Sequence, residues 1–242
     1  MKTLLAVSPH LDDAAFSAGA LLWTAAQRGW RVVVATMFTG NVAQPSGFAL
    51  ACQLDKGLPA DVDYMALRRE EDRQACRALG AEPIHVPLLE APHRGYEDAA
   101  ALFGSVRSDD TVASAVAQGL GRLLAEVRPS AVLAPLGIGG HVDHLIVRDA
   151  VVRLSGRRLR LWEDWPYLER AGCQERGAAC RWTVTPEAGA AKLRACASYV
   201  TQLAFQFGDA GALAERLEAQ QAEWLHPHPP DRSASSRFPA RP

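Results

Sequence analysis

Two hydrophobic periods alternate along the first two thirds of the chain. Residues 3–7 form a short continuous apolar run, the pattern of a strand buried on both faces. Residues 12–28 then carry apolar side chains at helical spacing (Ala15, Phe16, Leu22, Trp23, Ala26) up to a stop at Gly29. The alternation recurs. Further strands are predicted at 31–38, 84–86, 131–134 and 158–162. Helices are predicted at 63–79, closed by Gly80, at 111–127, ended ahead of Pro129, and at 142–154, closed by Gly156. Such alternation predicts an α/β fold with a Rossmann-like, doubly wound, mostly parallel sheet covered on both faces. Beyond residue 162 the pattern weakens to a short strand at 181–184 and C-terminal helices at 187–205 and 210–224. No internal repeat or linker-like stretch interrupts it. Residues 1–225 therefore read as a single domain, and the Pro- and Ser-rich residues 226–242 as a poorly ordered tail.

Composition narrows the class. The 242 residues are 48% hydrophobic and 22% charged, which excludes a disordered, collagen-like or coiled-coil chain. Lys and Arg number 26 against 27 Asp and Glu, and the formal net charge of −1 argues against general binding to nucleic acid or anionic membranes. No apolar run reaches the ~18 residues of a membrane span. The N-terminal apolar run ends at Val7, and Asp12 and Asp13 stand where a signal peptide would have to continue. The five cysteines are widely spaced and form no C-x-x-C pair, so reduced thiols in a cytoplasmic protein are expected, with a Cys173–Cys180 bridge left open.

The chemistry concentrates at two strand ends. Ser8-Pro9-His10-Leu11-Asp12-Asp13 follows the first strand. His10 and Asp13 are three residues apart, so a turn entering a helix can aim both at one point, and imidazole plus carboxylate is a common ligand pair for a divalent ion. Asp12 points elsewhere but close by, placed to act on a water without ligating the metal; for the two acids alone, capping of the helix is the competing explanation. Gly137-Ile138-Gly139-Gly140-His141-Val142-Asp143-His144 follows the fourth strand. Here two histidines are again three apart, and Asp143 could orient an imidazole by accepting its N–H. In a sheet of order 3-2-1-4-5, strands one and four are neighbours at the switch point, where such folds bind ligands. Both clusters therefore land in one crevice. Two long connections, 39–62 and 88–110, follow strand C-terminal ends on the same side.

Pro9-His10-Leu11-Asp12-Asp13 and His141-Val142-Asp143-His144 together resemble the two signatures of the PIG-L/LmbE-like family of zinc-dependent de-N-acetylases. The resemblance covers residues 1–162 and includes Arg68 and Glu71. It implies that His10, Asp13 and His144 are metal ligands and Asp12 the general base. It further implies that His141, supported by Asp143, stabilises the oxyanion or protonates the leaving amine, and that Arg68 faces substrate. It implies one Zn²⁺ per chain, with Fe²⁺, Mn²⁺ or Co²⁺ also compatible with N/O ligands. The implied reaction is hydrolysis of the N-acetyl group of an N-acetylglucosamine-type conjugate to acetate and a free amine. Leu11 and Val142 stand where proline is common in the family, and Gly139-Gly140 where some members are bulkier, which leaves closure over the substrate in question. His93, beside Arg94 and Tyr96, is a candidate substrate contact. Asp164 is another, at a sugar hydroxyl, with Trp165 or Tyr167 stacking on a ring; His85 is expected to pack. Hydrolysis of another acyl or carbamoyl amide at the same metal site is the alternative reaction, and a non-catalytic binding protein a further one. A nucleotide-dependent enzyme is disfavoured, because neither G-x-G-x-x-G nor G-x-x-x-x-G-K-[ST] is present and carboxylates at the first turn would repel a pyrophosphate.

Overall fold

The computed structural model describes residues 1–171 and 178–228. In chain order its elements begin with β1 (Thr3–Ser8), α1 (Asp13–Gln27), β2 (Arg31–Thr36), α2 (Gly47–Leu54), α3 (Tyr64–Leu79) and β3 (Glu82–His85). A short 3-10 turn (Ala91–Arg94) precedes α4 (Ala99–Leu102), α5 (Val112–Val127), β4 (Ala131–Pro135), α6 (Val142–Ser155) and β5 (Leu159–Trp162). The C-terminal part contains α7 (Tyr167–Ala171), β6 (Cys180–Thr183), α8 (Pro186–Ala197), α9 (Val200–Phe207), α10 (Ala210–Ala219) and β7 (Ala222–Pro227).

The sheet runs β3-β2-β1-β4-β5-β7-β6. The first five strands are parallel, in the order the periodicity predicts, and β7 and β6 add an antiparallel edge. Side chains alternate across it with period two. Leu4, Ala6, Val32 and Val34 pack under α1, α3 and α8, whereas Leu5, Val7, Val33 and Ala35 pack under α5 and α6. Each buried Leu or Val among them contributes about 1.5–3 kcal/mol, which is why these strands read as unbroken apolar runs. Among the described residues no helix is long and apolar enough to cross a membrane.

The C-terminal expectations need correction. The helix placed at 210–224 ends at Ala219, and 222–227 is strand β7. Its alternation was disguised because the inward position is an acid: Glu223 and Leu225 are buried, with the less buried Ala222, Trp224 and His226 between them. His226, assigned to the tail, lies in this strand, its ring Nε2 3.1 Å from Glu163 Oε1. The helix placed at 187–205 is two helices. Tyr199 breaks it, fully buried with its hydroxyl donating to Asp72 Oδ1 at 2.9 Å, and Thr201 then donates its N–H and hydroxyl to Glu71. Residues 39–62 and 88–110 are not featureless: they contain α2 and α4. The Cys173–Cys180 pairing and most of the tail, 229–242, lie outside the described residues.

Glu223 explains a defect in α1. Ala18 has non-helical dihedrals (φ −136°, ψ 15°), so the helical ladder is interrupted there. The N–H groups of Ala20 and Leu21 donate to the Glu223 carboxylate at 2.9 and 2.8 Å, and Lys192 Nζ completes the cluster at 2.8 Å. Gly19 lets the lysine pass, since a Cβ there would lie 3.0 Å from Lys192 Cγ. Removing one member of a buried ion pair costs about 3–5 kcal/mol. Glu223→Ala strands both Lys192 and two N–H groups and is expected to cost at least that much in urea denaturation. Lys192→Met is expected to cost less, because the carboxylate keeps its two backbone donors.

Candidate metal centre and active site

The turn after β1 is built by short bonds. Ser8 Oγ donates to His10 O at 2.6 Å and accepts the Ala14 N–H, and the His10 N–H donates to Asp13 Oδ2 at 2.8 Å. Neither acid caps α1. Asp12 occupies the N-cap position without a side-chain cap bond, and Asp13 bonds back to residue 10. The capping explanation for these two carboxylates is therefore removed.

Asp13 is the hub of the centre. Its Oδ2 also lies 3.3 Å from His10 Nδ1 and 3.2 Å from His144 Nε2. One ligand atom from each of His10, Asp13 and His144 falls within 4.8 Å of the other two, a spacing that fits one small cation. The chemistry of the donors agrees. His144 is fully buried, and its Nδ1 lies 2.8 Å from Asp164 Oδ1, which places the ring proton there. Its Nε2 faces Asp13 yet makes no hydrogen bond of adequate geometry, an orphaned buried nitrogen on the side of Asp13 and His10. Burial disfavours charge on His144, but Asp13 and Asp164 outweigh it and raise its pKa to about 9. Burial likewise opposes charge on His10, and Asp13 with Asp143 reverses the sign, holding its pKa well above the usual imidazole range. This cluster of carboxylates draws in positive charge.

Asp12 turns the other way, into a cavity of about 320 Å³ that His10, Arg68, His93 and His141 also line. Arg68 Nη2 donates to Asp12 Oδ1 at 3.3 Å and Gln206 Nε2 to Oδ2 at 3.0 Å. Burial raises the Asp12 pKa against the opposing pull of Arg68, with Asp13 adding to the rise. Arg68 Nη1 also donates to Glu90 Oε1 at 2.6 Å, so this guanidinium joins two carboxylates on the cavity wall.

Three expectations change. Asp143 does not accept a ring N–H from His141. Its Oδ2 lies 3.0 Å from His10 Nε2 and accepts the Ala91 N–H, and its Oδ1 accepts from Arg94 Nη2 at 2.7 Å. Arg94 continues to Asp110, so Asp143 anchors the 88–110 segment to the floor of the site. His141 instead receives the backbone N–H of Asp143 on Nδ1, at 3.2 Å. Asp164, expected at a sugar hydroxyl, is 1% exposed and takes the Gly137 and Ile138 N–H groups on the oxygen that does not face His144. It shapes the glycine turn and orients the imidazole. Trp165 is core, stacked on Phe207 at 5.1 Å, while Tyr167 lines the cavity. The small Gly139 is explained by the same tyrosine: its φ is +88° and a Cβ would lie 2.9 Å from Tyr167 Cβ. Tyr167 meets His144 and Phe103 meets His141 edge-on, with ring centroids 5.2 and 5.4 Å apart. His85 packs against Asp72, 2.7 Å away, as expected of a histidine without a site role. Glu90 and Gln206 were not singled out from the sequence; one lies in an unpatterned loop, and the other is a neutral amide in an apolar helix.

The chain is similar to proteins named as deacetylases. The chain is 37% identical to 2′-N-acetylparomamine deacetylase of Streptomyces fradiae over 170 residues, which is 69% of this chain and 57% of that protein's length. Among solved structures, teicoplanin deacetylase in a zinc-inhibited form aligns with a TM-score of 0.80 at 29% identity, covering 93% of this chain and 97% of that one. An A40926 pseudoaglycone deacetylase aligns at 0.78 and 31%, covering 94% and 98%. Residues 5–155, which carry both acid and histidine turns, match the PIG-L family model, described as GlcNAc-PI de-N-acetylase, and the chain belongs to that family.

Proposed function

We propose that this chain is a metal-dependent hydrolase that removes the N-acetyl group from an N-acetylglucosamine-type sugar conjugate, releasing acetate and a free amine. The observation that carries the reading is the division of labour between adjacent acids: Asp13 faces two imidazoles and Asp12 faces the cavity. Relatives named as deacetylases of sugar-bearing natural products support it.

His10, Asp13 and His144 would hold the ion, which we assign as Zn²⁺, with Fe²⁺ compatible with the same donors. Bound there, it supplies Lewis acidity, polarising an amide carbonyl and making a nearby water easier to deprotonate. Asp12 is the base in this reading: it takes the proton of the attacking water and returns it to the departing amine. Arg68 and Gln206 hold one carboxylate oxygen each and so fix its direction. His141 has a narrower role than the family resemblance allowed. Because Nδ1 accepts a backbone N–H, the ring proton sits on Nε2, and the neutral ring is a hydrogen-bond donor to the developing oxyanion. Such a donor contributes about 2.7–4 kcal/mol. Asp143 acts indirectly, through His10 and the Arg94 anchor, and Asp164 through His144. Arg68 and His93 line the cavity wall, and in this reading they meet the sugar.

The test is metal content measured beside acetate release from a panel of N-acetylglucosaminides. Wild type is expected to hold one ion per chain and release acetate; an ion-bearing protein that releases acetate from none of the panel would overturn the reading. Asp12→Asn is expected to keep the ion and lose roughly 10²–10⁴ in kcat. His144→Ala is expected to lose the ion and activity together, and its retention of both would remove the ligand assignment. Asp164→Asn should weaken metal affinity by roughly 10–100-fold, read by competition with a chelator, while the fold is kept.

A further inference from the structure

The cavity has more chemistry than an N-acetyl sugar requires. Of its two basic side chains, Arg68 is already engaged by Asp12 and Glu90. Lys56 is not. Its Nζ makes one hydrogen bond, to the carbonyl of Cys52 at 2.9 Å, and no carboxylate lies within ion-pair distance among the described residues. Glu90 and Asp12 act on it only at longer range. Capping the last turn of α2 explains that one bond. It does not explain why the ammonium is drawn inward, over the rings of Phe205 at 4.7 Å and Tyr64 at 5.6 Å, where burial lowers its pKa and solvation is partly lost. Two of its N–H groups are left for another acceptor.

The surroundings specify what carries that acceptor. Phe205 is 60% exposed and Phe103 41% exposed, and both line the cavity with Phe48 between α2 and the site. Exposed aromatic rings at the mouth of a polar cavity suit a flat, apolar group. A cationic group at the mouth would instead bring its ammonium against Lys56.

We propose that the mouth of the cavity is a second subsite, which binds an acidic aromatic group on the sugar conjugate, with Lys56 taking the acid and Phe205, Phe48 and Phe103 taking the ring. This rests on the deacetylase reading for its substrate, but the site makes its own prediction about binding. An ammonium accepts carboxylate and phosphate oxygens alike as a point charge, so the anion is either of these.

Four aryl N-acetyl-β-D-glucosaminides that differ only at the para position test it: carboxy, phosphono, neutral carbamoyl and cationic aminomethyl. Dissociation constants are measured by titration calorimetry on the full chain, beside kcat/KM for acetate release. Wild type is expected to prefer the carboxy or phosphono compound over the carbamoyl one by roughly 10-fold, the effect of one hydrogen bond to a charged group. The better of the two anions identifies the acid. That ratio should fall to about one in Lys56→Gln, survive in Lys56→Arg, and invert toward the aminomethyl compound in Lys56→Glu. Because each ratio is taken within one variant, a general loss of folding or turnover does not mimic it. A wild-type ratio of one, or a ratio that persists in Lys56→Gln, overturns the subsite. Acetate release from all four compounds without charge preference would leave the deacetylase reading standing and the subsite refuted. Charge-selective binding without acetate release would do the reverse. No binding of any compound would refute both.

Discussion

Strand β1 is hydrogen-bonded in parallel to β2 on one side and to β4 on the other. The chain crosses the sheet in opposite directions from it, so the connections after β1 and β4 leave toward opposite faces and a crevice opens between them. Everything in the site follows from this pairing. The register Leu4 to Ala131 through Ala6 to Leu133 brings Ser8 and Pro135 to the same edge. The two turns that begin there then meet: Asp13 from one faces His144 from the other at 3.2 Å. Backbone bonds far below the crevice thus set a distance that no local sequence could fix.

The candidate site costs stability: it places histidines and carboxylates out of water, where each needs a polar partner. Its cost is spread through fixed supports. Asp164 uses one oxygen on His144 and the other on two backbone N–H groups, and Asp143 uses one on His10 and the other on Arg94. Each support also holds a loop, so the geometry of His10 and His144 and the shape of the cavity are not independent. The histidines and these bonds, with Arg94 adding at Asp143, keep Asp13 and Asp143 well below the usual carboxylate range against the opposing effect of burial. The paired acids therefore carry full charge beside the imidazoles.

Much of this was legible in the sequence because it is written in periodicity. The central strands β1, β2 and β4 are apolar runs that bury both faces, and His10, Asp13 and His144 come together at the strand ends where motif and topology predict them. What was not legible depends on contacts between distant segments. Asp164 reads as an exposed loop acid until the glycine turn at 137–138 is folded over it. Asp143 reads as a partner for its neighbour His141, whereas Arg94 and His10 compete for it from other elements. Strand β7 reads as helix because the residue that faces inward is Glu223, acceptable there only because Lys192 and the broken ladder of α1 supply its partners. Gln206 gives no sequence signal, since an amide earns its role only by ending 3.0 Å from Asp12.

The same Glu223 has a temporal consequence. Helix α1 begins at the site's acids, yet its interrupted middle is completed by a residue more than two hundred positions later, which is synthesised after it. Until that strand is synthesised, Ala20 and Leu21 have no acceptor, and the nascent chain carries an unfinished helix directly behind Asp12 and Asp13. Assembly of the candidate site is in this way tied to the arrival of strand β7, so that a partly synthesised chain would hold His10, Asp12 and Asp13 without the rigid frame that aligns them.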